Sequence, residues 1–143
     1  MSFFTETEQA NLLAAIRDAE RDTSGEIRVH VEQTCPLPDP LERGKEVFAA
    51  LNMQQTAQRN GVLFYLSLDD HKFALLGDSG IDAVVPPDFW NGTRDAMREY
   101  LRAGRLVDGL AEGIRRAGQQ LKAYFPYRSD DRNELPDDLS FGN

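Results

Sequence analysis

Residues 66–82, LSLDDHKFALLGDSGID, carry four carboxylates: the adjacent pair Asp69 and Asp70, then Asp78 and Asp82 around Gly77 and Gly80. Carboxylate, amide and main-chain oxygens are hard donors, so such a set suits Ca²⁺ or Mg²⁺ better than zinc or copper. Asp in a Gly-rich turn also has a plainer use, fixing the turn itself. Other chemistries have less support. The chain has no P-loop, no G-x-S-x-G and no Cys–Arg phosphatase loop. The string GDSG at 77–80 matches a serine-protease motif in letters alone, because Ser79 has neither triad partners nor a two-barrel β pattern around it. Cys35 is the single cysteine, precedes Pro36 and has no histidine close in sequence, so neither a disulfide, a zinc spacing nor an activated thiol is expected.

The elements that position these residues can be read from periodicity. Thr5 and Glu8 form a capping box ahead of the apolar stripe Leu12, Leu13, Ile16 and Ala19, which predicts a first helix ending near Thr23-Ser24-Gly25. In GEIRVHVEQ, Ile27, Val29 and Val31 alternate with Glu26, Arg28, His30 and Glu32, a strand with one polar face on which His30 reads as solvated. Asp39 and Pro40 open a second helix whose buried face is Leu41, Val47, Phe48 and Leu51. After the turn at Arg59-Asn60-Gly61, VLFYLSL is apolar on both faces, as a central strand should be. Strand, helix, strand in that order makes a parallel βαβ unit. The tight DDHK turn sends KFALL back as an antiparallel third strand. Asp88 is expected to cap a third helix running to Leu101, with Phe89, Trp90, Thr93, Met97 and Leu101 on one face. A fourth helix follows with the stripe Leu106, Leu110, Ile114, Ala117, Leu121 and Tyr124, ending at Pro126, and Gly109 and Gly113 beside it permit close packing. Residues 127–143 read as an acidic, flexible C-terminal tail after a domain spanning 1–126. The sum is a small sheet with helices packed on it.

With a hairpin between strands two and three, the carboxylates fall into two groups. A strand of five or six residues spans about 17–20 Å, so Asp69 and Asp70 lie at one edge of the sheet and Asp78 at the other, and they cannot share one ion. The edge where the parallel strands end gathers Glu32, Gln33, Asp69 and Asp70. The edge where they begin gathers Glu26, Arg59, Asn60, Asp78 and Asp82, with glycines at 25, 61, 77 and 80. The second edge is the richer candidate metal site, and the Asp69-Asp70 turn the weaker one.

The whole chain sets limits on partners. Its 143 residues suit one domain, and 41% apolar content is enough for a core. A formal net charge of −8 argues against nucleic acid and against anionic membrane surfaces, and is compatible with cations, basic proteins or solubility alone. No basic, apolar leader is visible, and no run approaches the ~18 apolar residues of a membrane span. A cytoplasmic monomer is the default expectation.

The segments SGEIRVHV, RNGVLFYLSLDDHKFALLGDSGID and YLRAGRLVDGLAEGI, in this order, resemble the TPM domain family, which includes thylakoid lumen phosphatase-like proteins, a photosystem II repair protein and a nematode receptor modulator. The resemblance runs from about residue 5 to 126. It is carried by Asn60-Gly61 before the central strand, Gly77-x-x-Gly80 after the hairpin, and Arg102, Gly104, Gly109 and Leu110 near the fourth helix. It implies a three-layer α/β/α sandwich with a small mixed sheet, a cleft for divalent ions and, for some members, weak acid phosphatase activity. The family's glycine-turn aspartate corresponds to Asp78, the acidic residue after it to Asp82, where many members have Glu, and the turn asparagine to Asn60. Glu26 belongs to the short soluble bacterial branch that this chain is most similar to. Many members carry a signal peptide and a membrane anchor or low-complexity tail; neither is expected here, so their envelope roles are not expected to transfer. Three functions follow as expectations: a Ca²⁺- or Mg²⁺-binding cytoplasmic accessory module; a metal-assisted phosphatase, with Arg59 or Arg105 on the phosphate; or an ion-independent protein-interaction domain using the helical surface and the tail.

Overall fold

The computed structural model describes residues 3–127 and 139–142. Its elements are α1 (Glu6–Glu20), β1 (Glu26–Glu32), α2 (Pro40–Ala50), β2 (Gly61–Ser67), β3 (Lys72–Gly77), α3 (Ser79–Asp82), α4 (Asn91–Arg102), α5 (Leu106–Leu121) and β4 (Leu139–Gly142). The helix starts follow their local chemistry. The amide of Glu8 donates to Thr5 Oγ1 at 3.1 Å while the Thr5 amide donates to Glu8 Oε1 at 2.9 Å, so two orphan donors of α1 are satisfied reciprocally. Asp39 caps α2 through the Leu41 amide at 2.9 Å, with Pro40 in the first turn.

The sheet order is β3-β2-β1-β4. β1 pairs in parallel with β2 from Glu26↔Gly61 to Glu32↔Ser67, and β2 pairs antiparallel with β3 from Val62↔Gly77 to Ser67↔Lys72. One face of the sheet, formed by Ile27, Val29, Val31, Val62, Phe64, Leu66 and Leu75, packs in one core with Leu12, Ile16, Leu110, Ile114 and Leu121 of α1 and α5. The other face, with Leu63, Tyr65 and Ala74, is covered by Val47 of α2 and by Met53. These are the three layers of an α/β/α sandwich around a mixed sheet. Gly113 explains the close approach of α5: a Cβ there would lie 2.6 Å from Met97 Sδ and 2.9 Å from Phe64 Cε1, so its missing side chain admits α4 and the sheet together.

Three features depart from the sequence expectations. Thr93, Met97 and Leu101 are buried as expected, yet α4 begins at Asn91 rather than beside Asp88. The Asn91 amide bonds the Asp88 carbonyl at 3.0 Å and the Phe89 amide the Pro86 carbonyl at 3.0 Å, so 86–91 is a turn that reorients the chain first. A short helix, α3, occupies 79–82, where only a glycine turn was expected. The stretch 127–143, expected as a tail, ends in a strand: Leu139–Gly142 pairs in parallel with β1 from Val29↔Leu139 to Glu32↔Gly142. Leu139 enters the core and Phe141 meets Phe3 edge-on at 5.7 Å, so two alternating apolar residues supply the burial that holds it. Residues 128–138 of that expectation lie outside the described residues.

Candidate functional site

The two carboxylate groups stand at opposite sheet edges, as the hairpin requires. At the edge where β1 and β2 begin, the Glu26 amide bonds the Asn60 carbonyl at 3.2 Å and the Asp78 amide bonds the Gly61 carbonyl at 2.9 Å, which fixes Glu26, Asn60 and Asp78 to one row. Arg59, in the left-handed region at φ 51°, grips Asp78 bidentately, Nε to Oδ2 at 2.7 Å and Nη2 to Oδ1 at 3.0 Å. Asp78 also caps α3, accepting from the Ser79 amide at 2.7 Å. Asp82 closes that helix one turn later. Its carboxyl is pushed above the usual range, first by partial burial and then by the negative charge of Asp78. Asn60 is buried; its Nδ2 donates to Ser24 Oγ at 3.3 Å, and its Oδ1 has no hydrogen-bond partner among the described residues.

Main-chain pairing brings Glu26, Asn60 and Asp78 to one edge of the sheet, and Asp82 stands close enough to Asp78 to feel its charge. Among the described residues no three His, Cys, Asp or Glu side chains converge closely enough to hold a metal ion. The donors present fit Ca²⁺ or Mg²⁺ in type, being hard oxygens with one acceptor left unsatisfied, and main-chain carbonyls and water would have to complete the coordination number. Arg105, the other arginine considered for a phosphate, belongs to the α4–α5 turn, where it pairs with Asp108 and lies over the Tyr100 ring at 5.0 Å.

At the opposite edge both aspartates hold the hairpin to the loop after β1. Asp70 accepts from the Cys35 amide at 2.7 Å and Ser67 Oγ at 2.9 Å, and these bonds, the Cys35 one foremost, hold its carboxyl below the usual range. Asp69 accepts from Gln33 Nε2.

Sequence reasoning missed a buried polar cluster on the α2 side of β1. Glu32, 1% exposed, accepts from Tyr65 Oη at 2.6 Å, from Arg43 through Nε at 3.1 Å and again through Nη2, and lies 3.2 Å from His30 Nε2. The other ring nitrogen of His30 meets Ser140 Oγ of β4 at 2.8 Å. The polar face of β1 was expected to be solvated; it is buried instead, because α2 and β4 supply partners for it. The signal available in sequence was a tyrosine inside the mostly apolar central strand, a polar tip that needs a partner when buried.

Among solved structures, the chain is similar to the BA42 protein of the psychrophilic bacterium Bizionia argentinensis, at 45% identity and a TM-score of 0.92 over 99% of this chain and 97% of that one. It shares a fold with the N-terminal domain of a P. gingivalis protein, at 19% identity and a TM-score of 0.67 over 89% and 83% of the two chains. The N-terminal domain of cg2496 from Corynebacterium glutamicum is similar at 12% identity and a TM-score of 0.66, over 96% and 80%. No curated protein matches the chain. Among the described residues no helix is long and apolar enough to cross a membrane. The family model of the TPM domain matches residues 1–120, and the chain belongs to that family.

Proposed function

We propose that this TPM domain is a divalent-cation module that takes Ca²⁺ or Mg²⁺ beside Asn60, Asp78 and Asp82 and serves other proteins in the cytoplasm as an accessory. The observation that carries the reading is the Asn60 side-chain oxygen, buried and without a hydrogen-bond partner among the described residues, at the edge where burial and the nearby charge of Asp78 push the Asp82 carboxyl above its usual range. An acceptor left bare in this way costs about 1–3 kcal/mol unless something supplies positive charge to it. Arg59 supplies part of that charge to Asp78. It is half-exposed and can swing out, so an arriving ion would replace its guanidinium and recruit Asp82 and Asn60 together. Glu26 and main-chain oxygens of the 58–61 turn are the candidates to extend the shell.

The test is a Ca²⁺ and Mg²⁺ titration of the protein followed by amide NMR shifts. Shifts focused on residues 25–27, 59–61 and 77–82, abolished in Asp78→Ala with the fold retained, are the expected result. Shifts confined to 69–71 would transfer the site to the hairpin turn, and the absence of localised shifts at millimolar ion would overturn the reading.

A further inference from the structure

We propose that β4 is an acid-released strap: protonation of His30 detaches residues 139–142 from β1 while the rest of the sheet stays paired.

The strap is short and its attachments are few. β4 has four residues, stands at the end of the sheet order and pairs with β1. On one face Leu139 joins the core, and Phe141 meets Phe3 and Phe4 edge-on at 5.7 and 6.3 Å. On the other face Ser140 lies directly across from His30 in register, its Oγ 2.8 Å from His30 Nδ1. The ladders behind it are longer, running from Glu26 to Glu32 between β1 and β2 and from Lys72 to Gly77 between β3 and β2. A short edge strand opens at lower free energy than the sheet it rests on.

His30 is the group through which that opening responds to pH. Arg43 and Tyr65 hold Glu32 ionised, so its oxygen can only accept, and His30 Nε2, 3.2 Å away, carries the proton. Nδ1 of the neutral ring is then an acceptor, and the Ser140 hydroxyl donates to it. Protonation makes Nδ1 a second donor and ends that arrangement. It also places a further cation beside Arg28 of β1 and Arg43 of α2. Glu32 of β1 opposes them, but Arg43 and the Tyr65 phenol of β2 already share it, and the Tyr65 ring stacks on the imidazole at 6.1 Å. These are the titratable and charged groups that face the ring among the described residues. What β4 adds is the exclusion of water. A Cβ on Gly142 would stand 2.8 Å from Glu32 Oε1 and 3.0 Å from His30 Nε2, so the backbone of the strap presses on the pair. Burial is the largest influence on His30 and holds it below its ordinary 6.5. Lifting β4 returns water to the ring. The undocked form therefore binds the proton more readily, and by linkage acid favours the undocked form.

The test is amide hydrogen exchange of the full chain, read by NMR as protection factors from about pH 7.5 to about 5.5, either side of the ordinary histidine value. Protection at 139–142 should fall several-fold over that range, with about tenfold as the ceiling for one proton per pH unit, while protection at 62–66 holds. His30→Gln cannot titrate and should keep β4 protected at the lower pH. Gly142→Ala forces the strap off the pair, so the His30 ring signal should titrate closer to its ordinary value than in the parent. The parent and Gly142→Ala carry the test even where His30→Gln does not fold. Unchanged protection at 139–142, the same loss in His30→Gln, or an unmoved His30 midpoint in Gly142→Ala would each overturn the proposal. Equal loss at 62–66 and 139–142 would also overturn it, because the whole sheet would then be opening.

Discussion

The Tyr65 hydroxyl donates to the Glu32 carboxylate at 2.6 Å across the parallel β1–β2 pair, and Arg43 of α2 closes on the same carboxylate from the helical layer. A buried carboxylate is costly unless every lone pair is used. Here a phenol, a guanidinium and an imidazole share it, and burial with the Glu32 bond pushes the Tyr65 phenol up, out of the titrating range of the folded protein. Tyr65→Phe keeps the ring and removes one bond to a charged acceptor, so it should destabilise the fold by about 1.5–3 kcal/mol. Glu32→Ala should cost more, about 3–5 kcal/mol, because Arg43 then remains beside an apolar gap. Urea unfolding checks both, and equal midpoints for Tyr65→Phe and the parent would show that the bond contributes nothing.

The same cluster makes stability depend on pH. Glu32 titrates below its ordinary 4.5 despite a burial effect that opposes this, because the bonds from Arg43, then Tyr65 and His30, favour the carboxylate. Its stabilisation is present above the unfolded value and is lost as pH falls through the folded one. His30 titrates below its ordinary 6.5, chiefly because burial disfavours the imidazolium. The folded state therefore binds fewer protons than the unfolded chain, and stability begins to fall as pH drops below about 6.5, continuing toward the folded value. Urea midpoints recorded on acidification should decline in that window, and His30→Gln should flatten the upper part of the decline while leaving the Glu32 part. A parallel decline in the variant would assign it to other groups.

Arg59 holds both Asp78 oxygens, so a divalent ion taken up as proposed would have to compete with it for them. Arg59→Gln removes the positive charge and the paired bonds that now occupy both Asp78 oxygens, leaving them open to an ion. Calcium affinity should therefore rise several-fold in Arg59→Gln, and titration calorimetry reads the change directly. An unchanged or weaker affinity would mean that Arg59 is not the group an ion displaces.

Much of this arrangement was legible in the sequence because it depends on local rules. Thr5 with Glu8, and Asp39 with Pro40, announce helix starts that the structure repeats. The short polar DDHK stretch between two apolar runs reads most economically as a hairpin, and from that the separation of Asp70 from Asp78 follows. What was not legible depends on distant partners. Asp78 looked like a free turn carboxylate, and it is a helix cap paired with Arg59, because the turn before β2 returns beside the turn after β3. His30 looked solvated, and it is covered by Ser140, which lies 110 positions away in β4. The strand at 139–142 sits behind an acidic stretch, and its two apolar residues are too few to announce a strand until Val29, Phe3 and Phe4 are seen to receive them.

Gly80 is the position on which the candidate cation edge turns. A Cβ there would stand 2.0 Å from the Gln58 carbonyl oxygen and 2.6 Å from that of Arg59, both main-chain atoms that cannot rotate away. The Gly80 amide uses the same proximity to bond the Arg59 carbonyl at 2.9 Å, so the α3 turn and the turn before β2 are one unit. Gly80→Ala must push those turns apart, an overpacking that costs about 1–3 kcal/mol. It should also separate Asp78 and Asp82 from Asn60 and weaken calcium binding even where the fold survives. Gly92→Ala is the matched control, since nothing lies within 4 Å of a Cβ built there. Thermal unfolding and a calcium titration of the two variants side by side decide the matter: Gly80→Ala binding calcium like the parent would mean that the ion does not need the two turns to touch.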